Sequence, residues 1–436
     1  FDAGVLEVKL MDSIVPVLIG VPVTLLLIVL GPILAPLMGT VALVLHLLQQ
    51  TVAIRGGGFR VRLPFLQGIL RLPVDLLQWL QLIRSTRSTK GRIEALRPTY
   101  DAMLAEGVDA FFMPEAEVCP VCGEGEFGRR FTLPDLYQSK PGQFQLMECT
   151  RCHSWVQNPR LSPAGLEFYY KDAYDGLGER SLDALFGATQ DLYAQRVDMV
   201  CAHTEPKRWL DVGCGHGHMF AYARGVLSGT RLEGLDFGES VTVGKARGWM
   251  DEAHEGLFPA KASDLTGRFD VVSMCHYMEH VTDQRAELEA AHQVLGPGGL
   301  LLIEVPDPES VFRRVLGRYW MPWYQPQHLH LVPTVQMAAL LRAGGFEPIE
   351  WHTGSAHSPN DFLLASVVWL RKFTPHLDVP WRARASILAR LRNGLVWTLG
   401  VPLVCLCLLA DKVLASAAKR AHHVSQYRVI ARRIDS

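Results

Sequence analysis

The chain of 436 residues has no excess charge of either sign: 43 Lys and Arg stand against 44 Asp and Glu, a formal net charge of −1. No strong basic field steers the whole molecule, so a nucleic-acid partner is not expected. A disulfide framework is also missing. Four of the nine cysteines fall in two Cys-x-x-Cys pairs, and Cys201, Cys214, Cys275, Cys405 and Cys407 are scattered. That pattern suits a reducing compartment for the middle of the chain. A third absence is local: no Asp, Glu, Lys or Arg occurs between Ile14 and Leu48.

What fills that gap is apolar. "IVPVLIGVPVTLLLIVLGPILAPLMGTVALVLHLL" runs for 35 residues, against roughly 20 needed for one spanning helix. Gly31-Pro32 and Pro36 interrupt it, which predicts a kinked helix or a helical hairpin in a membrane over residues 1–50. Residues 51–113 follow as a basic amphipathic interfacial segment and linker. In it, arginines alternate with Leu, Phe and Trp, an arrangement suited to anionic headgroups. Near the other end "LVWTLGVPLVCLCLLA" (Leu395 to Ala410) has 16 residues, roughly 24 Å as a helix and short of a hydrocarbon core of about 30 Å. Arginines 382, 384, 390 and 392 precede it, and Lys412, Lys419, Arg420, Arg432 and Arg433 follow. Residues 376–436 therefore read as a basic, apolar membrane-associated segment that dips in and returns or crosses.

"CPVCG" (Cys119, Cys122) and "CTRC" (Cys149, Cys152) are separated by 26 residues. Thiolates at this spacing close a tetrahedron, and four of them predict a structural Zn²⁺ that folds a subdomain over 114–175. His153 is adjacent but is not needed as a ligand.

From Lys207 short apolar strands alternate with helices, the pattern of a parallel sheet with helices on both faces. "RWLDVGCGHGHMF" runs from a strand through Asp211, Gly213, Gly215 and Gly217 into a helix start. A dinucleotide fingerprint would need glycine at 218, and that residue is His218. Asp211 also suits a cationic ligand better than a pyrophosphate.

On these residues the stretch from about Lys207 to Leu370 resembles the class I S-adenosylmethionine-dependent methyltransferases. The resemblance implies an α/β fold: a doubly wound, seven-stranded, mostly parallel Rossmann-like sheet, here over 176–375. It implies that Asp211, Gly213, Gly215 and Gly217 cradle the cofactor. Asp236, with Phe237 beside it, would meet the ribose hydroxyls. Asp264 would sit near the adenine amino group, and Cys275 would line the pocket at the end of "FDVVSMC". It further implies that "EPIEW" is the sixth strand and "DFLLASVVWL" the antiparallel seventh. The paired cysteines, "NPRLSPAGLEFYY" and "YQPQHLHLVPTVQMAALLRAGGF" together resemble bacterial methyltransferases of sugar and cell-envelope biosynthesis. In sugar C-methyltransferases of that group a Tyr-x-Glu-His set serves deprotonation and methyl transfer, and Tyr277, Glu279 and His280 match it by position. A pocket-shaping role is the alternative reading of the same set. His328 is a second candidate base. The aromatic run Tyr319 to Tyr324 suits an apolar acceptor pocket or core packing. His216 and His218 read as loop residues beside the cofactor.

The expectation is an S-adenosylmethionine-dependent methyltransferase attached to membrane lipids, its catalytic domain on the cytoplasmic side of a bacterial inner membrane. Its acceptor would be an amphipathic small molecule: a lipid, a quinone-like molecule or a lipid-linked sugar. A non-catalytic subunit of a membrane protein complex, or an enzyme acting on a soluble sugar with incidental anchors, are the alternatives.

Overall fold

The computed structural model describes residues 90–171, 190–238, 240–354, 356, 360–418 and 424–434. The apolar segment over 1–50, and the interfacial segment as far as residue 89, lie outside them.

Eleven strands are assigned among the described residues: β1 (Phe127–Pro134), β2 (Gln143–Cys149), β3 (Trp155–Gln157), β4 (Arg208–Val212), β5 (Arg231–Asp236), β6 (Glu252–Glu255), β7 (Phe269–Cys275), β8 (Leu295–Pro306), β9 (His330–Leu331), β10 (Phe346–His352) and β11 (Gln426–Arg433). Seven form one sheet in the order β10-β11-β8-β7-β4-β5-β6. β6, β5, β4, β7 and β8 are parallel, and β11 is antiparallel to both of its neighbours. The parallel strands read as near-continuous apolar runs, because helices cover both faces. Trp209, Leu210, Val271, Val272, Leu301 and Leu302 are all fully buried. The expected Rossmann-like, mostly parallel sheet is present, and its order reverses between β4 and β7. Ligands of such sheets bind at the carboxyl ends of the strands flanking that reversal.

The seventh strand is not where the sequence reading put it. "DFLLASVVWL" is the helix Asp361–Arg371, and the antiparallel strand is β11, from the segment assigned to the membrane. Val367, Val368 and Trp369 have strand propensity, yet Leu363, Ser366 and Leu370 bury a helix-spaced face. "QYRVIARR" fills the slot between β10 and β8 instead, with Tyr427, Val429, Ile430 and Ala431 fully buried. Arg432 and Arg433 accordingly donate to the carbonyls of Gly298 and Leu295 at the start of β8 rather than flanking an apolar segment.

The 16-residue apolar run also grows. It lies inside the 32-residue helix Ile387–Ala418, about 48 Å long. Residues Ile387–Ala415 are long and apolar enough to cross a membrane, with only 11% of their most apolar window buried.

The other sheet, β1-β2-β3-β9, joins the cysteine-bearing region to the catalytic half. β9 pairs Leu331 with Trp155 and His330 with Val156. The N–H of Leu329 in turn donates to the Glu279 carbonyl (2.7 Å). One continuous path of backbone bonds thus runs from the cysteine hairpins to the loop after β7.

Candidate active site

The cofactor end is built by β4, β5 and the loop between β4 and the helix His218–Val226. Gly213, Gly215 and Gly217 all have positive φ (+72°, +53° and +80°), a region that side chains rarely adopt. A Cβ at Gly213 would stand 2.6 Å from Cδ2 of Tyr277, whereas one at Gly215 would meet nothing within 4 Å. The loop is therefore packed on one side and open on the other, a backbone cradle with space above it. The Gly215 N–H donates to the Asp236 carboxylate (2.9 Å), which fixes that carboxylate at the end of β5. Asp211 is buried and accepts from Ser273 Oγ (2.6 Å). Burial pushes its carboxyl up to about 7.

These residues fit S-adenosylmethionine, whose sulfonium is cationic and whose ribose offers two hydroxyls to a carboxylate. Phe237, 58% exposed, stands edge-on to Tyr170 just past the end of β5. Asp264 lies exposed in the 3₁₀ turn Ala262–Leu265. Cys275 ends β7, where burial raises its thiol to about 12 and keeps it neutral.

A titration follows from Asp211. A carboxylate that ionises near pH 7 attracts a sulfonium only once deprotonated. Affinity for S-adenosylmethionine is expected to strengthen from pH 6 to pH 8, by at most tenfold per pH unit for one proton. Asp211→Asn should flatten that component. Calorimetry of both proteins across the range checks it, since the ligand's own titration is common to both.

The acceptor end is built by the loop after β7 and by the segment leading into β9. Glu279, His280 and His328 bring one donor atom each within 4.8 Å of one another, and the two imidazole rings are 4.7 Å apart. His280 Nδ1 lies 3.0 Å from the Gln327 carbonyl and 3.2 Å from the Tyr170 hydroxyl. A carbonyl only accepts, so Nδ1 carries the proton and the neutral ring presents the Nε2 lone pair. Burial lowers the pKa of His280 despite the Glu279 carboxylate, which keeps that lone pair available near neutrality. His328 is held the same way, Nδ1 to the Pro322 carbonyl at 2.7 Å, and burial takes it to about 3. The Glu279 carboxyl is 1% exposed. One of its oxygens faces His276 Nδ1 (3.2 Å), and Oε2 is buried without a protein partner. A buried carboxylate oxygen without a protein partner is a place for a hydrogen-bond donor.

The structure brings Glu279, His280 and His328 together and sets Tyr277 apart. Its ring lies over Gly213, and its hydroxyl donates to Glu287 (2.9 Å) on the helix Gln284–Val294. Burial raises Glu287 to about 7 and also raises the Tyr277 phenol, so the two form a bond between neutral or singly charged groups under the cofactor loop.

Three further residues carry the site: His276 falls in the polar cluster His276–His280 of the sequence, whereas Tyr170 and Glu304 had no local signal. Tyr170 donates to Gln327 (2.8 Å) and touches His280 across 110 positions of sequence. Glu304, at the end of β8, is fully buried and paired with Arg196 (2.5 Å) and Arg428 (2.5 Å). Burial alone would raise Glu304, but the two guanidiniums hold it well below the usual carboxylate range. His276, at φ +53°, spans Glu279 and Glu304. Although burial disfavours its charge, those two carboxylates raise it to about 9, and so it bridges them as a cation.

The four cysteines form a separate centre. Sγ of Cys119 is 3.7 Å from that of Cys152, and Sγ of Cys122 is 3.8 Å from that of Cys149. All four lie within 4.8 Å of one another. Sulfurs about 2.3 Å from a tetrahedral zinc stand about 3.8 Å apart, so the set fits that ion.

A family model described as a methyltransferase domain matches residues 187–350. Ubiquinone biosynthesis O-methyltransferases are among the similar curated proteins. That of Azotobacter vinelandii is 25% identical over 173 residues (37% of this chain, 74% of that protein). That of Marinobacter nauticus is 29% identical over 169 residues (35% and 68%). That of Xanthomonas oryzae pv. oryzae is 29% identical over 203 residues (42% and 84%). Among solved structures, an S-adenosylmethionine-dependent methyltransferase from Archaeoglobus fulgidus aligns at TM-score 0.37, with 17% identity, over 58% of this chain and 98% of that one. The chain carries a methyltransferase domain and is an enzyme of the S-adenosylmethionine-dependent methyltransferase class.

Proposed function

We propose that this methyltransferase is membrane-attached and alkylates a hydroxyl on an amphipathic, quinone-like acceptor, with His280 as general base. The observation that carries the reading is the grouping of Glu279, His280 and His328, one ligand atom each within 4.8 Å, with His280 Nδ1 held by the Gln327 carbonyl and so its Nε2 left as the lone-pair nitrogen. The ubiquinone O-methyltransferase relatives support a phenolic acceptor.

Bound S-adenosylmethionine supplies an electrophilic methyl group for in-line displacement. Gly213, Gly215, Gly217, Asp211 and Asp236 hold and orient it. The acceptor's O–H donates to His280 Nε2, which takes that proton as the oxygen forms its bond to carbon, and the Glu279 carboxylate stabilises the imidazolium that results. The carbon–sulfur bond breaks and its electron pair stays on sulfur, leaving a neutral thioether. Gln327 and Tyr170 fix the His280 tautomer, and His328 packs its ring against it. Positioning provides much of the acceleration.

Cys119, Cys122, Cys149 and Cys152 would hold a structural Zn²⁺. The apolar residues 14–48 and the exposed apolar helix Ile387–Ala418 support attachment at the cytoplasmic face of a bacterial inner membrane. The cofactor half of the reading is tested by Asp236→Ala. Loss of two hydrogen bonds to a charged group, about 1.5–3 kcal/mol each, should weaken S-adenosylmethionine binding by two orders of magnitude or more in calorimetry. An unchanged Kd would refute the assigned pocket.

A further inference from the structure

We infer that the helix Ile387–Ala418 lies in the plane of the membrane surface, apolar face down, and does not cross the bilayer. The inference rests on the membrane-attached reading above and specifies how the attachment is made.

By length and composition this helix could span. Its contacts argue otherwise, because the same catalytic domain holds it at both ends and in the middle. Near the start, Arg390 pairs with Asp378 through two bonds (2.7 and 2.8 Å), and Asn393 Nδ2 donates to the Pro375 carbonyl (3.0 Å). Midway, Gly400 lets the helix approach Leu370 so closely that a Cβ there would stand 2.7 Å from a leucine methyl. Near the end, the Asp411 carboxylate accepts the N–H groups of Phe362 (3.1 Å) and Leu363 (2.8 Å), capping the neighbouring helix Asp361–Arg371. Arg390 and Asp411 are about 32 Å apart along the axis, the thickness of a whole hydrocarbon core. A crossing would carry Asp378, Arg371 and Lys372 through that core with it. Helix Asp361–Arg371 is no detachable partner. Phe362 meets Phe312 edge-on, and Asp361 bonds Ser425 just before β11.

Among the described residues nothing covers the opposite face, which is apolar. Leu388, Leu395, Leu399, Leu406 and Val413 recur at seven- and four-residue spacing, which places them on one line of the helix. They are 75, 60, 70, 63 and 48% exposed. That stripe is about 38 Å long, and no charged residue occurs from Asn393 to Ala410. Arg384 and Arg392 stand exposed at one end, where anionic headgroups would meet them. An uncharged stripe of this length, bordered by arginines and fastened sideways to a folded domain, fits a lipid surface, entered by about 5–10 Å. It also puts the catalytic domain against the headgroup layer, within reach of an acceptor whose tail stays in the bilayer.

The test uses the full chain reconstituted in sealed vesicles of phosphatidylethanolamine and phosphatidylglycerol, with the exposed Cys201 and the half-buried Cys405 and Cys407 replaced by serine. Arg384→Cys and Lys412→Cys are each treated with a membrane-impermeant maleimide. An in-plane helix gives label at both positions from the side that bears the catalytic domain; label from opposite sides overturns the inference. A fluorophore on Leu399→Cys should be quenched more by spin-labelled lipid near the headgroups than by label at the bilayer centre. The reverse order again means crossing. Absence of quenching in protein that still floats with the vesicles means that a second copy, or the chain's own residues 14–48, covers the stripe, and the inference fails. Protein that does not float refutes attachment itself and the inference with it, while the calorimetric test of the cofactor pocket stands independently.

Discussion

His280→Ala is expected to lower kcat by 10²- to 10⁴-fold, the usual contribution of a positioned base, while the Kd for S-adenosylmethionine stays within about twofold. The split follows from geometry. The imidazole touches Gln327, Tyr170 and His328 on the acceptor side, whereas the cofactor cradle is formed by β4, β5 and the glycine loop. The pH profile sharpens the test. With its pKa lowered by burial, His280 is already neutral above its ordinary value of 6.5. kcat/KM should therefore rise with pH only below about 6.5 and be flat to pH 8, apart from the Asp211 component in cofactor binding. Tyr277→Phe should cost less than His280→Ala, since the Tyr277 hydroxyl is engaged by Glu287 and not by the acceptor pocket. A Tyr277→Phe defect as deep as that of His280→Ala would show that the phenol reaches the reacting atoms.

Removing the Zn²⁺ proposed for the cysteine cluster is expected to be the other large effect. Structural zinc sites contribute apparent binding free energies of about 10–16 kcal/mol, far above what the small four-stranded sheet could replace. Its loss should therefore unfold 114–160 and act at a distance. β3 holds β9, which lies two residues past His328, and the N–H of the intervening Leu329 donates to the Glu279 carbonyl. Chelation, or Cys149→Ser, should lower the melting temperature by more than 10 °C, on a scale of roughly 2–4 °C per kcal/mol for a domain of this size. It should also lower kcat/KM at least as far as a displaced base does, about 10²-fold. One zinc per chain by elemental analysis, with recovery on adding Zn²⁺, completes the test. A metal-free protein with unchanged melting and turnover would remove the structural role.

Most of the sheet was legible in the sequence because each parallel strand is a short buried apolar run between glycine-bearing turns. Asp211 and Asp236 could be placed at strand ends for the same reason. The cysteine cluster was legible because its signal is spacing alone. What escaped depended on contacts between distant segments. Nothing local in "EFYY" says that Tyr170 reaches His280, and nothing near Glu304 announces Arg196 or Arg428. The seventh strand went to "DFLLASVVWL" because the resemblance puts an antiparallel strand after the sixth, while helix packing against Ile387–Ala418 decides the outcome. The apolar segment from Leu395 to Ala410 ended at its charges, yet Arg390 and Asp411 both find partners that let the helix continue past them. The position match of Tyr277, Glu279 and His280 to a sugar-methylating set held for sequence order but not for grouping, because the close approach at Gly213 turns the tyrosine toward the cofactor loop.

The central claim is methyl transfer to an amphipathic hydroxyl with His280 as base. It is tested most directly by incubating membranes bearing the wild-type chain, or His280→Ala, with methyl-labelled S-adenosylmethionine and extracting them with organic solvent. The account predicts wild-type label in the organic phase, in a base-stable methyl ether, and a drop of about 10²-fold or more for His280→Ala. Label confined to the aqueous phase, or equal labelling by both proteins, would contradict it.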